Sequence, residues 1–287
     1  MKKWNLLIDV AKCFNCNNCA LAVHDEYCGN SFPGYAEEMP RQGHRWIEIR
    51  QREQGEYPMV EVAYLPVTCN HCDEPSCMKG APEGAITKRA DGIVIFDPVR
   101  SKGHPELVKS CPYGMIWWNE EKQLPQTWPF DAHLLDKGWT QTRASQVCPT
   151  NAFQTLHVED EEMQRLVRED KLEVLHPEFG NQPRVYYKNL DSYFKSFVGG
   201  TLEGMLNGAI ECIADAHIVL WKGTQKLAET VSDTYGDFRF RRLDADGTSY
   251  RIEVSDPRFS SKTLEFAVKK SSHLGAITLE PKLTRVA

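Results

Sequence analysis

"CFNCNNC" at residues 13–19 and "CNHCDEPSC" at residues 69–77 each place three cysteines in one short loop. The first runs C-x2-C-x2-C through Cys13, Cys16 and Cys19. The second runs C-x2-C-x4-C through Cys69, Cys72 and Cys77. Two solitary Cys-Pro pairs follow, Cys111-Pro112 and Cys148-Pro149. A short loop cannot wrap all four corners of a cubane, so bacterial ferredoxins take three thiolates from one loop and the fourth from a distant Cys-Pro. Two triplets and two remote cysteines therefore offer eight thiolates, enough for two [4Fe–4S] clusters. Zinc is the competing reading, but a four-cysteine zinc site usually pairs two C-x2-C knuckles. Spacing alone leaves open which Cys-Pro completes which triplet.

The stretches "GAPEGAI" (80–86), "SCPYGMI" (110–116) and "VCPTNAF" (147–153) read as three copies of one turn, with Ala81 where the other two carry cysteine. In a full ferredoxin loop a fourth cysteine follows the third by four residues. After Cys19 that position is Val23, and after Cys77 it is Ala81. Counting back from Cys111, the triplet positions hold Ser101, His104 and Leu107. Before Cys148, Trp128, Asp131 and Ala144 stand in comparable places. Four loops are thus present. The first two keep their triplets and lack a remote cysteine, and the last two do the reverse, as if two whole clusters had been lost together. A third cluster would need Cys28 or Asp131 as a substitute ligand. Cys28 and Cys212 otherwise read as small buried apolar side chains. His71, His104 and His133 read as surface or supporting groups.

Ten cysteines are many for an intracellular chain, and nine of them lie between Cys13 and Cys148. Clustered thiols of a reducing compartment are metal ligands or redox groups, not disulfides. The 287 residues suffice for two domains. A net charge of −6 and the absence of a basic run argue against nucleic acid or an anionic membrane as partner. "MKKWNLLIDVAKC" lacks a cleavage-site pattern, and no apolar run reaches the roughly 18 residues of a membrane span. A cytoplasmic location is expected; export alongside a partner that carries the signal is the alternative.

With these residues in view, the chain resembles the iron–sulfur subunits that accompany molybdenum or tungsten bis-pterin oxidoreductases of the dimethyl sulfoxide reductase family. Within that family it is most like the small subunits of pyrogallol–phloroglucinol transhydroxylase and related phenolic-ring hydroxylases. The likeness is carried by "DVAKCFNCNNC" (9–19), "PGY" (33–35), "GHRW" (43–46), "CNHCDEPSC" (69–77), "CPYG" (111–114), "AHLLD" (132–136) and "PRVYYKNL" (183–190). The resemblance implies nested pairing: Cys13, Cys16, Cys19 and Cys148 for one cluster, and Cys69, Cys72, Cys77 and Cys111 for the other. It also implies a large partner subunit that holds molybdenum and two pterins and performs the chemistry, leaving electron transfer, and no catalytic residue, to this chain. The transhydroxylase branch is expected to carry three clusters, whereas this sequence offers cysteines for two. The alternatives are an electron-transfer subunit for formate, an oxyanion or a sulfur compound, or a mainly structural cluster-bearing scaffold.

The expected architecture is α+β. Ferredoxin-like modules with two [4Fe–4S] clusters fill residues 1–157, a helical or extended connector spans 158–199, and an immunoglobulin- or transthyretin-like β-sandwich fills 200–287. "AITKRADGIVIFD" reads as a hairpin turning at Asp91-Gly92, and 159–170 as a solvated helix with an acidic start. "FVGG" (197–200) reads as a joint. Beyond it strands are expected near 210–213, 216–222, 225–232, 237–243, 249–256, 262–268 and 274–280. Nothing among them suggests a catalytic set, so docking or stabilisation is their expected role.

Overall fold

A computed structural model describes residues 1–206 and 208–282. The chain forms two compact units, one of residues 1–51 and 64–190, the other of residues 52–63 and 191 onward.

In chain order the first unit holds strand β1 (Lys3–Asp9), helix α1 (Asn18–Tyr27) and the start and end of a long hairpin, β2 (Ile47–Glu56) and β3 (Met59–Thr68). Then come hairpins β4 (Ile86–Lys88) with β5 (Val94–Phe96) and β6 (Trp117–Asn119) with β7 (Leu124–Gln126). Short helices α2 (Ala132–Leu135) and α3 (Arg143–Val147), strand β8 (Phe153–Val158), helix α4 (Asp160–Asp170) and strand β9 (Val185–Lys188) complete it. β1 reads KWNLLID and is buried along nearly its whole length, as a central strand covered on both faces should be. It lies between β8, to which it runs antiparallel, and β9, to which it runs parallel. The hairpin expected at Asp91-Gly92 is present, with Gly92 at φ +91. α4 carries Asp160, Glu161 and Glu162 in its first turn, where the helix dipole favours negative charge. Its outer face is solvated, with Arg165 between Glu162 and Glu169, while Met163 packs inward against Leu7, Leu172 and Tyr186.

The second unit adds the short helix α5 (Asp191–Phe194) and strands β10 (Ser196–Leu206), β11 (Ala209–Cys212), β12 (His217–Lys222), β13 (Gln225–Val231), β14 (Asp237–Leu243), β15 (Ser249–Asp256), β16 (Phe259–Ala267) and β17 (Ser272–Leu279). One sheet runs β11-β10-β14 with β17 also paired to β10; the other runs β13-β12-β15-β16. Alternating burial along β12, β14 and β15 directs one side of each strand into a shared core that includes Leu202, Ile218, Leu220, Phe238, Ile252 and Ile277. Among the described residues the unit is all β apart from α5.

Two features depart from expectation. "FVGG" is no joint but lies within β10, near its start. Its glycines answer to packing: a Cβ on Gly199 would meet the Met59 side chain, one on Gly200 the Phe238 ring, and one on Gly204 the Phe259 ring. The segment 158–199 is divided between the units, since α4 and β9 belong to the first and β10 begins at Ser196. Of the region expected to form the last domain, residues 207 and 283–287 lie outside the described residues.

Candidate metal centres

Each cysteine triplet sits where a strand ends and the backbone is forced to turn. After β1, Asp9 caps a short 3-10 turn by accepting from the Ala11 N–H. Asn15 and Asn17 then adopt left-handed φ values of +62 and +61, a region asparagine tolerates better than most residues. Cys13 and Cys16 lie in this turn and Cys19 in the first turn of α1. Cys148 directly follows α3, which packs against α1. Cys13 and Cys19 each have Cys16 and Cys148 as electrostatic neighbours, and Cys19 has Cys13 as well. Burial pushes the Cys19 thiol up to about 12 and raises Cys13 as well. Cys148 differs. Burial raises it, but the backbone N–H groups of Phe153, Thr150 and Ala152 and the Thr150 hydroxyl outweigh that and hold it low. The Ala152 N–H donates to the Cys148 Sγ at 3.2 Å.

The second group forms at the end of β3. Cys69 and Cys72 bracket His71, itself at φ +43, and Cys77 lies in the 3-10 turn Ser76–Met78. Cys111 follows a second 3-10 segment, Pro105–Ser110. The loop is tied down on several sides. The Asn70 carbonyl accepts from the Arg184 N–H at 2.8 Å. His71 Nδ1 accepts from the Val94 N–H at 3.1 Å, and Lys88 Nζ donates to the His71 carbonyl at 2.8 Å. Arg184 itself is buried, bidentate to Asp73 and bonded to Asp160 and Asn5. Cys69, Cys72, Cys77 and Cys111 line one recess together with Asn70, Tyr113 and Thr127. Burial pushes Cys69 up to about 11 and Cys77 to about 12, and raises Cys72 further.

The four-thiol lining of this recess is the donor set that a [4Fe–4S] cluster takes. Among the described residues no three His, Cys, Asp or Glu side chains are placed to hold a single metal ion. Thiols that burial keeps protonated must release those protons when metal binds, and the metal's charge then compensates the thiolates.

Of the residues that stand in the places of missing ligands, the structure brings Ala81 and Leu107 together and leaves His104 apart. Ala81 and Leu107 pack with Ile86, Val94, Phe96 and Ile116, and Cys77 and Cys111 border the same apolar cluster. Ser101 bonds the Asp97 carbonyl, and His104 pairs with Glu106 on the surface. At the other position Val23, Trp128, Asp131 and Ala144 are all essentially inaccessible. Here Asp131 Oδ1 accepts from Tyr27 Oη and Trp128 Nε1, each at 2.9 Å, and Oδ2 accepts from the Arg143 N–H at 2.8 Å. His133 bonds Glu26 at 2.8 Å. The Asp131 carboxyl, pushed up by burial, is already bonded at both oxygens. Cys28 follows the end of α1 and is half-buried, and Cys212 is exposed. Cys212 departs from the expected buried position because all four residues of β11, an edge strand, are exposed. His71 is a buried supporting group, edge-on to the rings of Trp128 and Phe130. Sequence reading singled out neither Asn70 nor Arg184, for each gains its meaning from distant partners.

Residues 60–157 match a family model described as a 4Fe-4S dicluster domain. The chain is 38% identical over 283 residues to the small subunit of pyrogallol hydroxytransferase from Pelobacter acidigallici, covering 97% of this chain and 100% of that one. It is 33% identical over 162 residues to the beta subunit of selenate reductase from Thauera selenatis, covering 55% of this chain and about half, 49%, of that one. It is 30% identical over 199 residues to a subunit of tetrathionate reductase from Salmonella typhimurium, covering 67% of this chain and 74% of that one.

Proposed function

The chain belongs to the family of iron–sulfur small subunits of dimethyl sulfoxide reductase-type molybdenum enzymes, and from that premise we propose that it is the electron-transfer subunit of a heteromeric enzyme that hydroxylates or transhydroxylates phenolic rings. The observation that carries this reading is the sorting of eight cysteines into two groups, each a loop triplet with one remote Cys-Pro, on a chain alike throughout its length to a hydroxytransferase small subunit.

Cys13, Cys16, Cys19 and Cys148 would hold one [4Fe–4S] cluster, and Cys69, Cys72, Cys77 and Cys111 the other. When bound, such clusters supply one-electron exchange at potentials set by hydrogen bonds and burial around their sulfurs. The residues of this chain provide thiolates, orient them from strand ends, and direct the Ala152 N–H at the Cys148 sulfur. No residue here is assigned a catalytic role. Molybdenum and two pterins are assigned to the large partner. The all-β unit is read as an immunoglobulin- or transthyretin-like sandwich with a docking or stabilising role, a reading its two sheets around one core support. A cytoplasmic complex is part of this reading; among the described residues no helix is long and apolar enough to cross a membrane.

The filled ligand sets favour hydroxyl transfer over respiratory reduction. Electron tunnelling falls exponentially with distance, so a relay with positions occupied by side chains carries current poorly. Reduction of an oxyanion consumes electrons that must arrive from elsewhere, whereas hydroxyl transfer between phenols consumes none overall.

The test is iron and acid-labile sulfide in the anaerobically purified complex, after subtracting any cluster of the partner. About eight of each per chain are expected, and about four fewer in Cys111→Ser and in Cys148→Ser. About twelve in the parent chain would restore a third cluster and the relay. Zinc in place of iron, or unchanged content in either variant, would overturn the assignment.

A further inference from the structure

Asn70 stands between two proposed cluster ligands, Cys69 and Cys72, and lines the recess they form with Cys77 and Cys111. It is 2% exposed, and neither its Nδ2 nor its Oδ1 has a hydrogen-bond partner among the described residues. Buried side-chain amides are rarely left so. Of the other polar side chains in the lining, the Tyr113 hydroxyl is likewise buried without a partner, while three are already committed as donors. Thr127 Oγ1 donates to the Met115 carbonyl, Ser76 Oγ to the Ser110 carbonyl, and Asn181 Nδ2 to Ser76 Oγ. The Asn70 backbone is also fixed, because its carbonyl accepts from the Arg184 N–H and Arg184 is clamped by Asp73. A rigid, unpaired donor beside four thiols is a built feature.

We infer that the Asn70 side-chain amide donates a hydrogen bond to a sulfur of the cluster held by Cys69, Cys72, Cys77 and Cys111, and thereby raises that cluster's reduction potential. This rests on the two-cluster reading above. Reduction adds one electron to the cluster and breaks no bond. The added negative charge strengthens an N–H···S bond, so the donor favours the reduced form. Asn70 is a tuning residue, acting on the cluster and not on substrate.

The experiment is a dithionite titration with redox mediators, followed by electron paramagnetic resonance, on the anaerobically purified complex carrying Asn70→Leu or Asn70→Ala. The Cys111→Ser variant assigns the signals. With iron retained, the ratio of reduced to oxidised second cluster at a fixed ambient potential should fall about tenfold, a downward shift of about 59 mV for a one-electron couple. The cluster of Cys13, Cys16, Cys19 and Cys148 should not move. If Asn70→Leu loses iron, the potential in Asn70→Ala decides. An unmoved second potential in an iron-replete variant overturns the inference, as does loss of the second cluster from both variants, which would make Asn70 merely structural. A parent complex with no second iron signal would instead sink the two-cluster reading before Asn70 is tested.

Discussion

His44 shows how a single side chain ties stability to pH in this chain. Its Nε2 meets the Trp118 carbonyl at 2.9 Å, and its Nδ1 is buried without a partner. Burial holds the imidazole below its ordinary value, against the opposing bond from the Trp118 carbonyl. The unfolded chain therefore takes a proton near pH 6.5, where the folded chain does not. Stability from this residue is complete above about pH 6.5 and is lost as pH falls toward the lower folded value, with a slope of at most about 1.4 kcal/mol per pH unit. The thermal midpoint should drop between pH 7.5 and 5.5. His44→Gln, which keeps a donor at the same reach, should flatten that drop. An identical slope in parent and variant would show that His44 is not the titrating group.

At the scale of elements, Asp131 and its partners Tyr27, Trp128 and Arg143 form a piece of polar core. Asp131→Leu would strand three buried donors, the Tyr27 hydroxyl, the Trp128 indole N–H and the Arg143 N–H. At about 1–3 kcal/mol for each donor left unmet, the loss should be at least about 3 kcal/mol. Tyr27→Phe removes one donor and should cost only about 1 kcal/mol. Thermal midpoints, moving roughly 2–4 °C per kcal/mol in a domain of this size, should rank Asp131→Leu well below Tyr27→Phe. Equal midpoints would mean the network contributes nothing. Asp131 was legible in the sequence only as a residue in a ligand's place. Its donor Tyr27 lies 104 positions away, a separation that no local pattern spans. The strands from β12 to β17 were legible because one face of most of them is buried and period-two alternation records that. β10 was hidden because its glycines yield space to Met59, Phe238 and Phe259, and close packing by glycine looks in sequence like a hinge.

For the molecule as a whole, the cysteines divide the chain by what its folding needs. All eight proposed ligands lie in the first unit, where Cys77 and Cys111 border an apolar core cluster. Burial there opposes thiolate formation, so metal binding and folding of the cysteine loops are coupled. The second unit contains none of these ligands, and its core of sixteen buried side chains is closed by two sheets. That asymmetry was visible in sequence as cysteine distribution, but the allotment of residues 52–63 to the second unit was not, since a hairpin's destination depends on distant surfaces. Stripping iron anaerobically with a chelator should therefore act unevenly. Amide hydrogen exchange should accelerate in the cysteine loops, α1 and β4–β5, while β12 and β15, at the centre of their sheet, keep slow exchange. Simultaneous loss of protection in β12 and β15 would show that the second unit depends on the metal as well, and that the division read from its core is wrong.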